Sequence, residues 1–207
     1  MHADAVLSLF RSTGALHEGH FRLSSGLHSN GYMQCALVLQ FPTHAEALGR
    51  ALADLVRPLD VQAVLSPAMG GLIIGHEVGR GLGVRAIFAE RVDGTLTLRR
   101  GFTLAPGERV LIVEDVVTTG KSTRETVEVA RAAGATVVGA ASIINRGGDV
   151  DLGVPFHALA SVSFPTWPAD QIPDWLAAIP VTKPGSRPTG SKSVSYTHLT
   201  LPTNREV

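Results

Sequence analysis

The densest set of reactive side chains is the run Glu114-Asp115-Val116-Val117-Thr118-Thr119-Gly120-Lys121-Ser122, which follows the apolar Arg109-Val110-Leu111-Ile112-Val113. An apolar strand, two adjacent carboxylates and a hydroxyl-rich turn that opens a helix suit one kind of ligand. Backbone N–H groups at a helix start are unpaired donors at the positive end of the helix dipole, so they hold phosphate. Two carboxylates beside them repel a bare phosphate. They suit a ligand that carries hydroxyls, or a bound cation, next to its phosphate, as a ribose 5-phosphate does. Capping alone accounts for Thr118, Thr119 and Ser122. It does not account for a Glu-Asp pair ending an apolar strand, since buried carboxylates need partners. Gly120-Lys121-Ser122 also matches the end of a Walker A loop, but that motif needs glycine where Asp115 stands.

The elements that position this turn follow from the patterning. Residues 3–12 read as an amphipathic helix ending at Gly14. A second helix is predicted with Thr43 as its cap, Leu48, Ala51, Leu52, Leu55 and Val56 on one face, and Pro58 as its stop. Apolar runs then alternate with helices: strands at 61–65, 84–89, 109–113, 136–144 and 156–162, a helix from the Gly70-Gly71 loop to about Gly81, and another over 122–133 closed by Gly134. Apolar strands separated by helices predict an α/β fold, a central parallel sheet flanked by helices. Ligands in such sheets bind beyond the carboxyl ends of the strands. Four segments fall there: 66–71, Glu90-Arg91, 114–122 and Asn145-Arg146-Gly147. Residues 91–108 read as a hairpin with its turn at Asp93-Gly94, either a surface ribbon or a flap.

The run from Val110 to Ser122 resembles the phosphoribosyl pyrophosphate signature of the type I phosphoribosyltransferases. Leu23-Ser24-Ser25-Gly26-Leu27-His28-Ser29 with Tyr32 resembles the N-terminal substrate segment of the orotate-specific members, and Ser142-Ile143-Ile144-Asn145-Arg146-Gly147 resembles their orotate-binding strand end. The resemblance implies one domain over 1–187, with a small N-terminal hood at about 1–40, a core sheet at about 60–165 and a flap at about 91–108. It implies transfer of a phosphoribosyl group from phosphoribosyl pyrophosphate to orotate, with Mg2+ bound mainly through substrate oxygens and no protein metal ligand set. Glu114 and Asp115 would face the ribose hydroxyls, the backbone of residues 118–122 would cradle the 5-phosphate, and Val116 and Val117 would complete the phosphoribosyl pyrophosphate site. Arg146 and Thr118 would meet orotate, with Ser24, Ser25, Gly26 and Tyr32 at the pyrimidine edge. The family carries lysines in the pyrophosphate loop and in the substrate segment, and a lysine and a histidine in the flap. Here Met69-Gly70-Gly71, Ser24 and the flap residues Arg91, Arg99 and Arg100 stand instead, so Arg91 and Arg99 are the expected catalytic cations. A homodimer is also implied by the resemblance.

Composition limits the alternatives. Lys+Arg and Asp+Glu both number 18, so nothing points to a nucleic-acid binder, which carries a basic face. A single cysteine, Cys35, excludes an intramolecular disulfide and reads as a small buried hydrophobe. No apolar run approaches a membrane span and no secretory signal is read, so a cytoplasmic enzyme without membrane partners is expected. His17 and His20 lack a further ligand at metal spacing, and His28 is expected to face ligand or solvent. Residues 188–207, rich in Ser and Thr, read as a non-native or disordered tail. Two other functions stay open: a phosphoribosyltransferase for a purine base, and a non-catalytic regulator on the same fold.

Overall fold

A computed structural model describes residues 1–23 and 25–184; Ser24 and the 188–207 segment lie outside the described residues. The chain opens with α1 (Ala3–Ser12), which buries Val6 and Phe10. Gly14, at φ 66°, closes it: Ala15 N–H donates to the Phe10 carbonyl at 2.7 Å and Gly14 N–H to that of Arg11 at 3.1 Å. That is the paired reversal a left-handed residue allows after a helix. Next come β1 (Leu16–Arg22), β2 (His28–Met33), α2 (Cys35–Leu39) and α3 (Pro42–Val56).

Helix α3 differs from its predicted form in two respects. Pro42 occupies its first turn and no side chain caps it, so Thr43 is not the cap; a proline with φ preset for the helix serves at that position instead. Its buried face is Ala45, Leu48, Gly49, Leu52, Ala53 and Val56, while Leu55 is 44% exposed. At about 100° per residue, that stripe is rotated away from Ala51 and Leu55 and toward Gly49 and Ala53. The cause is close packing on α4 (Gly71–Leu82): a Cβ at Gly49 would overlap Glu77, and one at Gly81 would lie 2.8 Å from Ala53 Cβ. Pro58 does not stop the chain's coiling at once, because a 3-10 turn carries Arg57–Leu59 past it.

The core is a six-stranded sheet in the order β5-β4-β3-β6-β7-β8. Its strands are β3 (Ala63–Pro67), β4 (Arg85–Val92), β5 (Thr95–Leu98), β6 (Arg109–Val117), β7 (Thr136–Asn145) and β8 (Phe156–Ser161). All neighbours pair in parallel except β4 and β5. Helices α3 and α4 share one apolar cluster with Val64, Leu111 and Val113; α5 (Lys121–Ala132) shares another with Leu65 and Ile112 on the opposite face. Alternate residues of a strand thus feed opposite layers, as a sheet covered on both sides requires.

The order has one consequence for function. From β3 the chain runs to β4 on one side, then returns to place β6 on the other. The crevice outside their carboxyl ends is the topological switch point where such sheets bind ligands. Register deepens it. β3 pairs with β6 only as far as Ile112, while β7 pairs with β6 to Val117. Strand β6 is therefore longer than predicted, and Glu114 and Asp115 lie inside it with one flank open.

The hood is a second sheet, β10-β1-β2-β9, that takes β9 (Thr166–Trp167) and β10 (Val181–Thr182) from the far end of the chain. It is therefore not confined to residues 1–40. His20 Nδ1 lies 3.0 Å from the Ile179 carbonyl and His20 Nε2 lies 2.6 Å from His28 Nδ1. His28 is buried in this pair rather than facing ligand or solvent, and burial followed by the neighbouring His20 lowers its pKa. A short helix, α6 (Asp174–Ala177), precedes β10 and buries Leu176.

Candidate active site

Glu114 and Asp115 stand at the switch point against the turn that leaves β3. Glycine is required in that turn. A Cβ at Gly70 would lie 2.8 Å from Asp115 Oδ1, and one at Gly71 would lie 2.7 Å from the Val113 carbonyl oxygen and 3.2 Å from Glu114 Oε2. The backbone of 70–71 thus lies directly on both carboxylates, closer than any side chain would permit.

The two acids are electrostatically loaded. Burial, reinforced by the adjacent Asp115 charge, pushes the Glu114 pKa up to about 8. Burial also raises that of Asp115, against the Val116 N–H, which donates to Asp115 Oδ1 at 2.8 Å. Cys35, at the start of α2, is buried as predicted. Burial first, then the Asp115 and Glu114 charges, push its thiol well above the ordinary range. Among the described residues neither carboxylate has a cationic side-chain partner. Such a pair stores repulsion that a ligand with hydroxyl donors or a cation relieves.

Beyond Val117 the chain turns into α5. Gly120 takes φ 72° at the helix entry, and no side chain caps the helix. Thr119 Oγ1 makes a single long contact with the Lys121 N–H, at 3.4 Å. The loop is braced from outside, since Arg124 donates to the Thr119 carbonyl and to that of Asp151, both at 2.9 Å. Thr118 and Thr119 are exposed; Val117 is buried and Val116 half-buried, so Val117 offers only backbone to a ligand. Lys121 points into solvent, with Nζ 3.9 Å from Glu125 Oε1.

The end of β7 abuts this turn. Arg146 N–H donates to the Val117 carbonyl at 2.7 Å, and a Cβ at Gly147 would overlap the Thr118 carbonyl. Asn145 locks the bend, accepting from Gly147 N–H and donating to the Gly148 carbonyl, both at 2.9 Å. The Arg146 guanidinium makes no hydrogen bond or ion pair among the described residues, and its Nε is buried without a partner. Burial lowers its pKa, while Tyr32 and Cys35 lie close enough to act on it. Tyr32 is half-buried and stacked with His17 at 6.4 Å. Ser25 is exposed and Gly26 turns the hood loop at φ 87°, while Ser24 lies outside the described residues.

The predicted flap begins as the antiparallel β4–β5 hairpin at the sheet edge. Arg91 is ion-paired with Glu125 on α5, and Arg100 is paired with Glu90 at 2.8 Å. Arg99 is exposed with no ion pair among the described residues. Two contributors had no readable signal: the stacking of Phe164 on Arg146 and the seating of Cys35 near Asp115. Both depend on segments far apart in the chain.

A carboxylate pair running into an uncapped helix at the switch point of a parallel sheet has the form expected of a phosphoribosyltransferase. The phosphoribosyl transferase domain family matches residues 38–152. The chain is 56% identical to an orotate phosphoribosyltransferase of Erythrobacter litoralis, over 89% of this chain and 97% of the relative. It is 53% identical to that of Heliobacterium modesticaldum, over 90% of this chain and the whole relative. A solved orotate phosphoribosyltransferase of Aeropyrum pernix superposes with a TM-score of 0.62 at 25% identity, over 75% of this chain and 93% of that one. The chain belongs to the phosphoribosyltransferase family, among its orotate phosphoribosyltransferases.

Proposed function

We propose that this enzyme transfers the 5-phosphoribosyl group of phosphoribosyl pyrophosphate to orotate, giving orotidine 5′-monophosphate and pyrophosphate, as a step of pyrimidine (UMP) biosynthesis. The observation that carries the reading is the pairing of two unsatisfied sites at one switch point. Among the described residues, an uncapped helix start lies beside two carboxylates with no cationic side-chain partner, and a half-buried arginine without an anion stands next to them.

In the reaction the bond from ribose C1 to the pyrophosphate oxygen breaks, a bond from C1 to the pyrimidine nitrogen forms, and the proton on that nitrogen passes to the departing pyrophosphate or to solvent. Positive charge develops on the ribose ring and negative charge on the departing pyrophosphate. The N–H groups of residues 118–122 hold the 5-phosphate, which fixes the ring. Glu114 and Asp115 accept from the ribose hydroxyls and lie under the developing charge. Their action is positioning and electrostatic stabilisation. Arg146 pairs with the orotate carboxylate through its planar fork, with Thr118, Tyr32 and the backbone of Ser25 and Gly26 around the ring.

Mg2+ fits this donor set as a substrate-borne ion. The described residues contain no cluster of three or more His, Cys, Asp or Glu side chains. Two hard carboxylates suit an ion that brings most of its oxygens with the substrate. When bound, it neutralises pyrophosphate charge. With the expected lysines absent, Arg91 and Arg99 are the flap's candidates for further cationic help, brought in by movement of the flap or supplied by a second subunit of a homodimer. No helix of the described residues is long and apolar enough to cross a membrane. A purine base would share the phosphate turn but offers no carboxylate to Arg146. The test is loss of orotate absorbance with phosphoribosyl pyrophosphate and Mg2+. Turnover of adenine or hypoxanthine in place of orotate would sink the acceptor assignment.

A further inference from the structure

Phe164 lies in the segment between β8 and β9 that ties the core sheet to the hood. Upstream, Val162 N–H donates to the Asn145 carbonyl at 2.9 Å, at the end of β7. Downstream, Ser29 Oγ donates to the Pro165 carbonyl at 3.1 Å and Ser29 pairs with Thr166 in the hood sheet. The ring therefore stands where core and hood meet. The Arg146 guanidinium carbon sits 5.2 Å from its centroid. The ring also packs on Gly31, where a Cβ would overlap Cδ1 and Cε1 of Phe164. Gly31 directly precedes Tyr32.

We infer that Phe164 is a positioning residue for the acceptor half of the site: seated on Gly31, its ring holds the Arg146 guanidinium over it and ties that group's orientation to the packing of the hood on the core sheet. The inference rests on the reading of Arg146 as the orotate partner. The physical case is one of selection among rotamers. A long arginine side chain with no hydrogen bond to fix it loses conformational freedom when it binds. A ring face attracts a guanidinium in the stacked orientation and leaves its edge, with the paired N–H donors, free for a carboxylate. The buried, unpartnered Nε agrees with a group placed by stacking rather than by hydrogen bonds. Gly31 is the complementary requirement, because any side chain there displaces the ring.

Steady-state kinetics of four variants test this. Phe164→Leu keeps volume and removes the aromatic face; KM for orotate should rise about five- to tenfold, with kcat and KM for phosphoribosyl pyrophosphate within about twofold. Phe164→Tyr keeps the face and should recover most of that loss. Gly31→Ala should reproduce the orotate-specific rise without touching Phe164 itself. Arg146→Ala separates the two readings. If it loses orotate binding while Phe164→Leu behaves as wild type, the positioning role is wrong and the Arg146 assignment stands. If Arg146→Ala keeps orotate binding, the Arg146 assignment falls. Parallel rises in both KM values for Phe164→Leu, unrescued by tyrosine, would mean that the ring serves only packing.

Discussion

The two halves of the proposed site are built in opposite ways. The phosphate half is one continuous stretch: strand β6, two carboxylates, a braced turn and the start of α5. The acceptor half is assembled from three distant pieces, the end of β7, the hood strand β2, and the 162–165 crossover that carries Phe164. A contiguous site is fixed by local hydrogen bonding and by glycine at the few points of close approach. An assembled site depends on long-range packing, so its geometry follows the seating of the hood. The halves should therefore fail separately when mutated, and differently.

The largest effect belongs to the phosphate half. Asp115→Asn removes a charge at the switch point, and kcat/KM should fall on the order of 100-fold or more with the melting temperature kept or raised. A loss of the fold instead would make Asp115 structural. Arg146→Ala should raise KM for orotate by roughly 30- to 150-fold, the weight of a charge-assisted pair of about 2–3 kcal/mol. Gly71→Ala places a Cβ 2.7 Å from the Val113 carbonyl. Overpacking of that kind costs about 1–3 kcal/mol, and the effect should appear in KM for phosphoribosyl pyrophosphate rather than for orotate.

A pH signature marks the same half. A carboxyl whose folded pKa stands above its unfolded value holds its proton more tightly when folded. Its contribution to stability is present below pH 4.5 and is lost as pH rises to about 8. Thermal unfolding of the ligand-free protein should show that decline, and Glu114→Gln should flatten it, raising the melting temperature by about 2–4 °C near pH 8. Binding of phosphoribosyl pyrophosphate with Mg2+ near pH 7 should release protons, measurable by calorimetry in buffers of different ionisation enthalpy. The smallest effect is Arg91→Ala. Its exposed pair with Glu125 is worth about 1 kcal/mol or less; a large loss of kcat would instead identify Arg91 as a catalytic cation.

Legibility followed the same division. The phosphate half could be proposed from local pattern because the strand, the Glu-Asp pair and the Gly120 turn are adjacent. The strand and helix alternation indicated the parallel sheet, since buried strands leave continuous apolar runs. Arg146 was proposed from the resemblance of residues 142–147 to an orotate-binding strand end, not from its position alone. The strand order was not, and with it the switch point between β3 and β6, because order depends on crossover direction rather than on local pattern. The hood's outer strands β9 and β10 are two residues each, too short for any periodicity. Leu55 fell outside the buried face of α3 because Gly49 draws α4 in, a packing choice that a helical wheel does not contain. His28 lost its ligand role to a partner, His20, that only the hood's register brings near.

The central claim is that one site holds two separable half-sites. The most direct measurement compares KM for orotate and for phosphoribosyl pyrophosphate in Arg146→Ala and Gly71→Ala. The account predicts a crossed pattern, with KM for orotate rising in the first and KM for phosphoribosyl pyrophosphate in the second, each leaving the other substrate within about threefold. Equal rises of both constants in both variants would contradict it.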